Sequence, residues 1–240
     1  MTIRAVIFDV YGTLFTVAPA PPDADEQWNL AWHDMLCAPP RLSLTSFSDS
    51  CKVVIARENA ASREFGVEWP EIYWPAVVQE ILPEMEQLDE FHRAEFLYRL
   101  THTWHTVRLM PHAAPVLRKI SQTGLLLGIA SNAQPYAPRE LDRELHTAGL
   151  SSAMFDPVLC FWSFEHGFSK PDPRVFRILT MRLAARRIAA SQILMVGDHF
   201  TNDIAPALAQ GWQVWQLAES PISTHRPSGD WHALLVYLGL

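Results

Sequence analysis

Cysteine is scarce: Cys37, Cys51 and Cys160 are the three in 240 residues, too few and too scattered for a disulfide framework or a zinc cluster. Positive charge is also short. Lysine and arginine total 19 against 26 aspartates and glutamates, giving a net charge of -7; this argues against nucleic acid or an anionic membrane as partner, because both need a basic face. An anionic small-molecule substrate stays open, since local charges and a metal decide that. No apolar run reaches the roughly 18 residues of a membrane span. The chain enters its first strand directly after Arg4, which predicts no signal peptide. Internal repeats and low-complexity tracts are absent. A reducing cytoplasm is the expected location.

What is present is an ordinary globular composition, 49% apolar and 19% charged, at a length that fits one large domain or a large one with a smaller insertion. The organising stretch is Val6-Ile7-Phe8-Asp9-Val10-Tyr11-Gly12-Thr13-Leu14. Its apolar start reads as a buried strand that delivers Asp9 to its C-terminal end. A carboxylate there is either a turn former, as Asp before Gly often is, or a reacting group.

Residues 16 to 26, with Pro19, Pro21 and Pro22, read as a linker or surface loop, and Pro39-Pro40 as another. Phe47, Cys51, Val54 and Ile55 recur at helical spacing, with Gly66 as a stop. Val77, Ile81, Met85 and Leu88 predict a second helix kinked at Pro83, and Phe91 to Thr101 a third. From Pro111 the chain alternates: helix stripe 114–120, strand 125–130, helix 139–148, strand 158–161, helix 173–187, strand 193–197, helix 203–210 and a last core strand 213–217. Such alternation predicts an α/β fold, a Rossmann-like and mostly parallel sheet covered on both faces, with a helical insertion.

Four segments fall at predicted strand ends or loops: Asp9, Ser131-Asn132, Lys170, and Asp198 with Asp203. Each has a plain reading as a cap, a turn residue or a solvated charge. In a parallel sheet, however, the strand C-termini share one edge, so all of them can meet in one crevice.

Order and spacing of these segments resemble the haloacid dehalogenase superfamily. The first motif is Asp9-Val10-Tyr11-Gly12-Thr13, the second Ser131-Asn132, the third Lys170-Pro171-Asp172-Pro173, and the fourth Gly197-Asp198-His199-Phe200-Thr201-Asn202-Asp203. The resemblance implies a core of residues 1–15 and 106–240, with residues 16–105 as the inserted helical cap. It implies a hydrolase in which Asp9 is the nucleophile, Ser131 and Asn132 bind the transferring group together with Tyr11 and Thr13, and Lys170 neutralises charge. Mg2+ is the implied cofactor, held by Asp9, the Tyr11 main-chain carbonyl and Asp198, with Asp203, Asn202 and His199 in support.

Two departures pull apart. The family's phosphatases carry a second aspartate two residues after the nucleophile, where this chain has Tyr11, as in 2-haloacid dehalogenases; the fourth motif keeps Asp198, as in phosphatases. Three readings follow. The first is a Mg2+-dependent phosphohydrolase on a small phosphorylated metabolite, with a leaving group that needs little protonation or with His199 or a cap residue as surrogate acid. The second is a dehalogenase-like hydrolase, with Arg41, Arg57 and Arg63 as candidates for gripping carboxylate or halide. The third is a silent ligand-binding protein.

Overall fold

The apolar run at Ala5–Phe8 becomes β1, the hub of the sheet, each of its four residues fully buried. In this computed structural model, which describes residues 2–220, 222 and 227–240, it is followed by β2 (Phe15–Pro19), α1 (Ala24–Leu36), α2 (Leu44–Glu64), α3 (Trp74–Ile81), α4 (Glu90–Thr101) and β3 (His105–Leu109). The alternating part then runs α5 (Ala113–Ser121), β4 (Leu126–Ser131), α6 (Ala137–Thr147), β5 (Cys160–Trp162), α7 (Pro173–Ala184), β6 (Ile193–Gly197), α8 (Ala205–Ala209), β7 (Gln213–Leu217), β8 (Ser228–Gly229) and α9 (Trp231–Leu238).

The main sheet has six strands in the order β5-β4-β1-β6-β7-β8, and every pairing is parallel. Side chains alternate across it as the period of two demands. Val6, Phe8, Leu194 and Val196 face the core filled by α5, α6 and α9, whereas Ala5, Ile7, Ile193 and Met195 face that filled by α7 and α8. The α/β expectation is met. Among the described residues no helix is long and apolar enough to cross a membrane.

The helices α1 to α4 form a separate apolar centre around Trp28, Trp32, Phe47, Trp74 and Phe96. Phe47 stacks on Trp28 at 5.0 Å and on Trp104 at 5.7 Å between ring centroids, so aromatic area supplies most of this core. Of the nine tryptophans seven are buried, Trp104 is half-buried and Trp69 is exposed. An antiparallel ribbon of β2 and β3, paired from Phe15↔Leu109 to Pro19↔His105, joins this helical part to the sheet.

Four local expectations need correction. Residues 16–26 are not all loop: Phe15–Pro19 form β2, and α1 starts at Ala24 and buries Trp28, Ala31 and Trp32. Pro83 does not kink a continuous helix. Helix α3 ends at Ile81, Leu82 leaves the helical region at φ -119°, ψ 76°, and Pro83 begins a short 3-10 turn, because the residue before proline is pushed out of the helical region. The predicted helix at 203–210 is shorter, with a π turn at Phe200–Ile204 before α8. Gln213–Leu217 is not the last strand, since β8 pairs beyond it.

Candidate active site

The C-terminal ends of β1, β4 and β6 lie side by side, and the polar residues that follow them meet there. Asp9 is the first residue past β1, and its N–H bonds to the Val196 carbonyl at 2.9 Å. Lys170, in the loop between β5 and α7, lays its ammonium between two carboxylates: Nζ donates to Asp9 Oδ1 at 2.6 Å and to Asp203 Oδ1 at 2.5 Å. All three are buried. A buried charge is tolerated only when paired and hydrogen-bonded, and here each partner is.

The neighbours fix this geometry. Asn132 clamps the Lys170 backbone at both ends, its amide donating to the Lys170 carbonyl at 2.9 Å and its Oδ1 accepting the Lys170 N–H at 2.7 Å. Asp203 Oδ2 accepts the His199 N–H at 3.0 Å. The Thr13 hydroxyl donates to Asp198 Oδ1 and accepts the Asp198 N–H, both at 3.1 Å. Gly12 has φ +88°, and a Cβ there would strike the Asp198 carboxylate, so the turn needs glycine on both counts.

Asp9, Asp198 and Asp203 each place a carboxylate oxygen within 4.8 Å of the others. Against them stands the single ammonium of Lys170, so the cluster carries more negative than positive charge. Burial, opposed by Lys170 and reinforced by Asp203 and Asp198, pushes the Asp9 carboxyl up to about 6. Burial would lower the Lys170 ammonium, but Asp203 and Asp9 outweigh it and hold it above its ordinary value. The donor set is all oxygen and the charge is in deficit of a cation, which is what a hard divalent ion requires. The residues present therefore fit Mg2+.

Asp9, Tyr11, Asn132, Lys170, Asp198, His199, Asn202 and Asp203 line a cavity of about 170 Å3. Ser131, at the end of β4, is fully buried, and its Oγ has no hydrogen-bond partner. His199 is an exposed rim residue whose Nδ1 lies 3.0 Å from the Thr201 hydroxyl. Arg41 and Arg57 are elsewhere, paired on the surface with Glu84 and Glu80 at 2.7 and 2.6 Å, and Arg63 is exposed. None of the three lines the cavity at Asp9.

Tyr11 does not face its site as a free phenol. Its hydroxyl donates to Glu140 Oε2 at 2.6 Å, and burial together with the Glu140 charge raises its pKa far above the usual range. Glu140 is itself fully buried, with Oε1 3.3 Å from His105 Nε2 and 3.5 Å from His102 Nε2. Sequence reasoning missed Glu140. The signal was there: the buried positions of α6 are Ala137, Glu140, Leu141, Glu144 and Leu145, a helical stripe that puts a carboxylate on the inward face.

A sequence model for the haloacid dehalogenase-like hydrolases matches residues 3–211. A phosphoserine phosphatase of Thermus thermophilus is 38% identical over 108 residues, a match spanning 45% of this chain and 40% of that protein. Among solved structures, a 2-haloacid dehalogenase from Pseudomonas syringae pv. Tomato superposes with a TM-score of 0.61 at 20% identity, covering 98% of this chain and 97% of the other. A HAD phosphatase from Thermococcus onnurineus does so with a TM-score of 0.54 at 20% identity, covering 99% and 98%. At such identities the structures speak to fold alone.

The strained charge on Asp9 has a measurable consequence. Its carboxyl holds a proton up to about pH 6 in the native protein but only to 3.8 ordinarily. The native state thus binds the extra proton between these values, and the contribution is complete below 3.8 and lost as pH rises through 6. At pH 8 without divalent cation, Asp9→Asn should therefore melt at a higher temperature than the unaltered protein, with the gap closing toward pH 4. Thermal denaturation across pH reads this, and a gap that does not change with pH would contradict it.

Proposed function

The chain belongs to the haloacid dehalogenase-like hydrolases, and from that footing we propose that it is a Mg2+-dependent phosphohydrolase working through an aspartyl-phosphate on Asp9. One observation carries the reading: three carboxylates crowd one buried ammonium, an arrangement that calls for a further cation before an anionic substrate can approach.

Asp9, the Tyr11 main-chain carbonyl and Asp198 would hold Mg2+, which when bound neutralises the carboxylates and the charge of the transferring group. A carboxylate oxygen of Asp9 attacks phosphorus, and the bond to the leaving oxygen breaks. Water then attacks phosphorus and frees Asp9, which splits one displacement into two. Lys170 orients Asp9 and offsets the charge gathering on the phosphoryl oxygens. The partnerless Ser131 hydroxyl supplies a donor to one of them. Asn132 and Asp203 hold Lys170 in place, and Thr13 does the same for Asp198. The phosphoserine phosphatase relative agrees with this class of reaction.

The residue two past the nucleophile gives no acid to the leaving oxygen, because the Tyr11 proton is committed to Glu140. A 2-haloacid dehalogenase reading draws on that same tyrosine, since halide leaves without a proton. Carboxylates beside the departing anion work against it, as does the absence of arginine from the lining of the Asp9 cavity among the described residues.

A panel of phosphate esters, acyl phosphates and 2-chloropropionate, each with Mg2+ and with chelator, tests the proposal. Chelator-sensitive phosphate release, abolished by Asp9→Asn, is the expected result; chloride release indifferent to chelator would replace it with the dehalogenase reading. Tyr11→Asp supplies the missing acid while stripping Glu140 of its donor. It should raise turnover of alkyl phosphates and lower the melting temperature, and unchanged turnover would show that protonation is not the bottleneck.

A further inference from the structure

The small cavity at Asp9 does not end there. Tyr11 and Asn132 are shared with a second cavity of about 340 Å3, lined also by Val17, Glu71, His105, Gln134 and Tyr136. Glu71, His105, Gln134 and Tyr136 are shared in turn with a third, of about 400 Å3, which reaches between Ile55, Trp74 and Trp104. One crevice therefore runs from the nucleophile to the helical part of the chain.

Its far end has a definite chemistry. Trp74 and Trp104 meet edge to face at 5.1 Å, and Ile55, Ile72, Cys51 and Tyr136 complete mainly apolar walls. Size and lining are those of a small-molecule seat, apolar with few polar groups, and such aromatic walls favour flat rings. Lys52 is the only lysine or arginine lining it among the described residues; its side chain is 73% exposed and its ammonium is 2.8 Å from Asp49. Glu71 adds a carboxylate at the throat. A second anionic group on the substrate would meet repulsion there, and the one lysine in the lining is already paired with Asp49.

We infer that the alcohol half of the phosphomonoester is an uncharged, flat aromatic group seated against Trp74, Trp104 and Tyr136, so that the leaving group is an aryl oxide. The inference rests on the phosphohydrolase reading and is reached from a separate set of residues. It also accounts for Tyr11. When Asp9 forms its bond to phosphorus, the electron pair of the breaking bond departs on an aryl oxygen, whose conjugate acid has a pKa near 10, as for an ordinary phenol. That oxygen can leave without an acid beside it. The proton it later takes comes from water.

The test is calorimetric binding of 1-naphthyl phosphate and of phosphoserine to Asp9→Asn protein in the presence of Mg2+. The aromatic ester should bind at least about tenfold more tightly, and Ile55→Trp, which fills the far end, should erase the preference. Equal or tighter binding of phosphoserine, failure of both to bind, or a preference that survives in folded Ile55→Trp would overturn the inference. If Ile55→Trp does not fold, the comparison of the two ligands decides alone. Phosphate release by the unaltered protein is read separately. Preferential binding without Mg2+-dependent release would contradict the phosphohydrolase reading and leave the ring seat standing, whereas release with no preference for the aromatic ester would contradict the ring seat only.

Discussion

A lysine ammonium buried between two carboxylates is the interaction on which the rest of this structure depends. Lys170 Nζ touches Asp9 and Asp203 at 2.6 and 2.5 Å with almost no exposure to water. Removing the ammonium would leave buried carboxylates uncompensated, so Lys170 must arrive together with them. The parallel sheet meets that demand by bringing the ends of β1, β4 and β6 into register, Phe8 beside Ile129 on one side and Val196 on the other. Short polar braces from Asn132, Thr13 and His199 then remove the remaining freedom.

The second constraint lies beneath Tyr11. Glu140 is buried completely and is reached by a phenol, His105 and His102, from the first motif loop, the ribbon and the end of α4. The same carboxylate thus ties the nucleophile's loop to the helical part of the chain and removes the phenol from proton chemistry. Across the crevice, Gln134 bridges in the same sense, taking the Trp74 N–H at 2.8 Å and donating to Glu71 and to the Ile72 carbonyl at 2.8 and 2.9 Å. The loop of Asp9 and the wall of the crevice at Trp74 are therefore held by two polar networks, one centred on Glu140 and one on Gln134.

Much of this was readable from residue order. The runs ending at Asp9 and Asp198 are strands because both faces are buried, and a charged residue at such an end stands out against its apolar approach. What escaped was non-local. Strand β2 exposes all but Phe15 and exists through its pairing with β3, on the far side of four helices, so its own residues carry no periodic signal. Prolines 19, 21 and 22 masked the start of α1, although Trp28, Ala31 and Trp32 fall on one helical face. Arg41, Arg57 and Arg63 could not be placed from sequence; in the structure Arg41 and Arg57 make exposed ion pairs, of the kind that contributes little. Glu140 was hidden by the habit of reading charge on a helix as solvated.

The central claim is that the carboxylates of Asp9, Asp198 and Asp203 outnumber their buried counter-charge and so create a site for a divalent cation. The most direct measurement is calorimetric titration of the cation-free protein with Mg2+ near neutral pH, alongside Asp198→Asn. The account predicts a single Mg2+ site that Asp198→Asn weakens by at least about tenfold. Absence of binding by the unaltered protein, or equal binding by the variant, would contradict it.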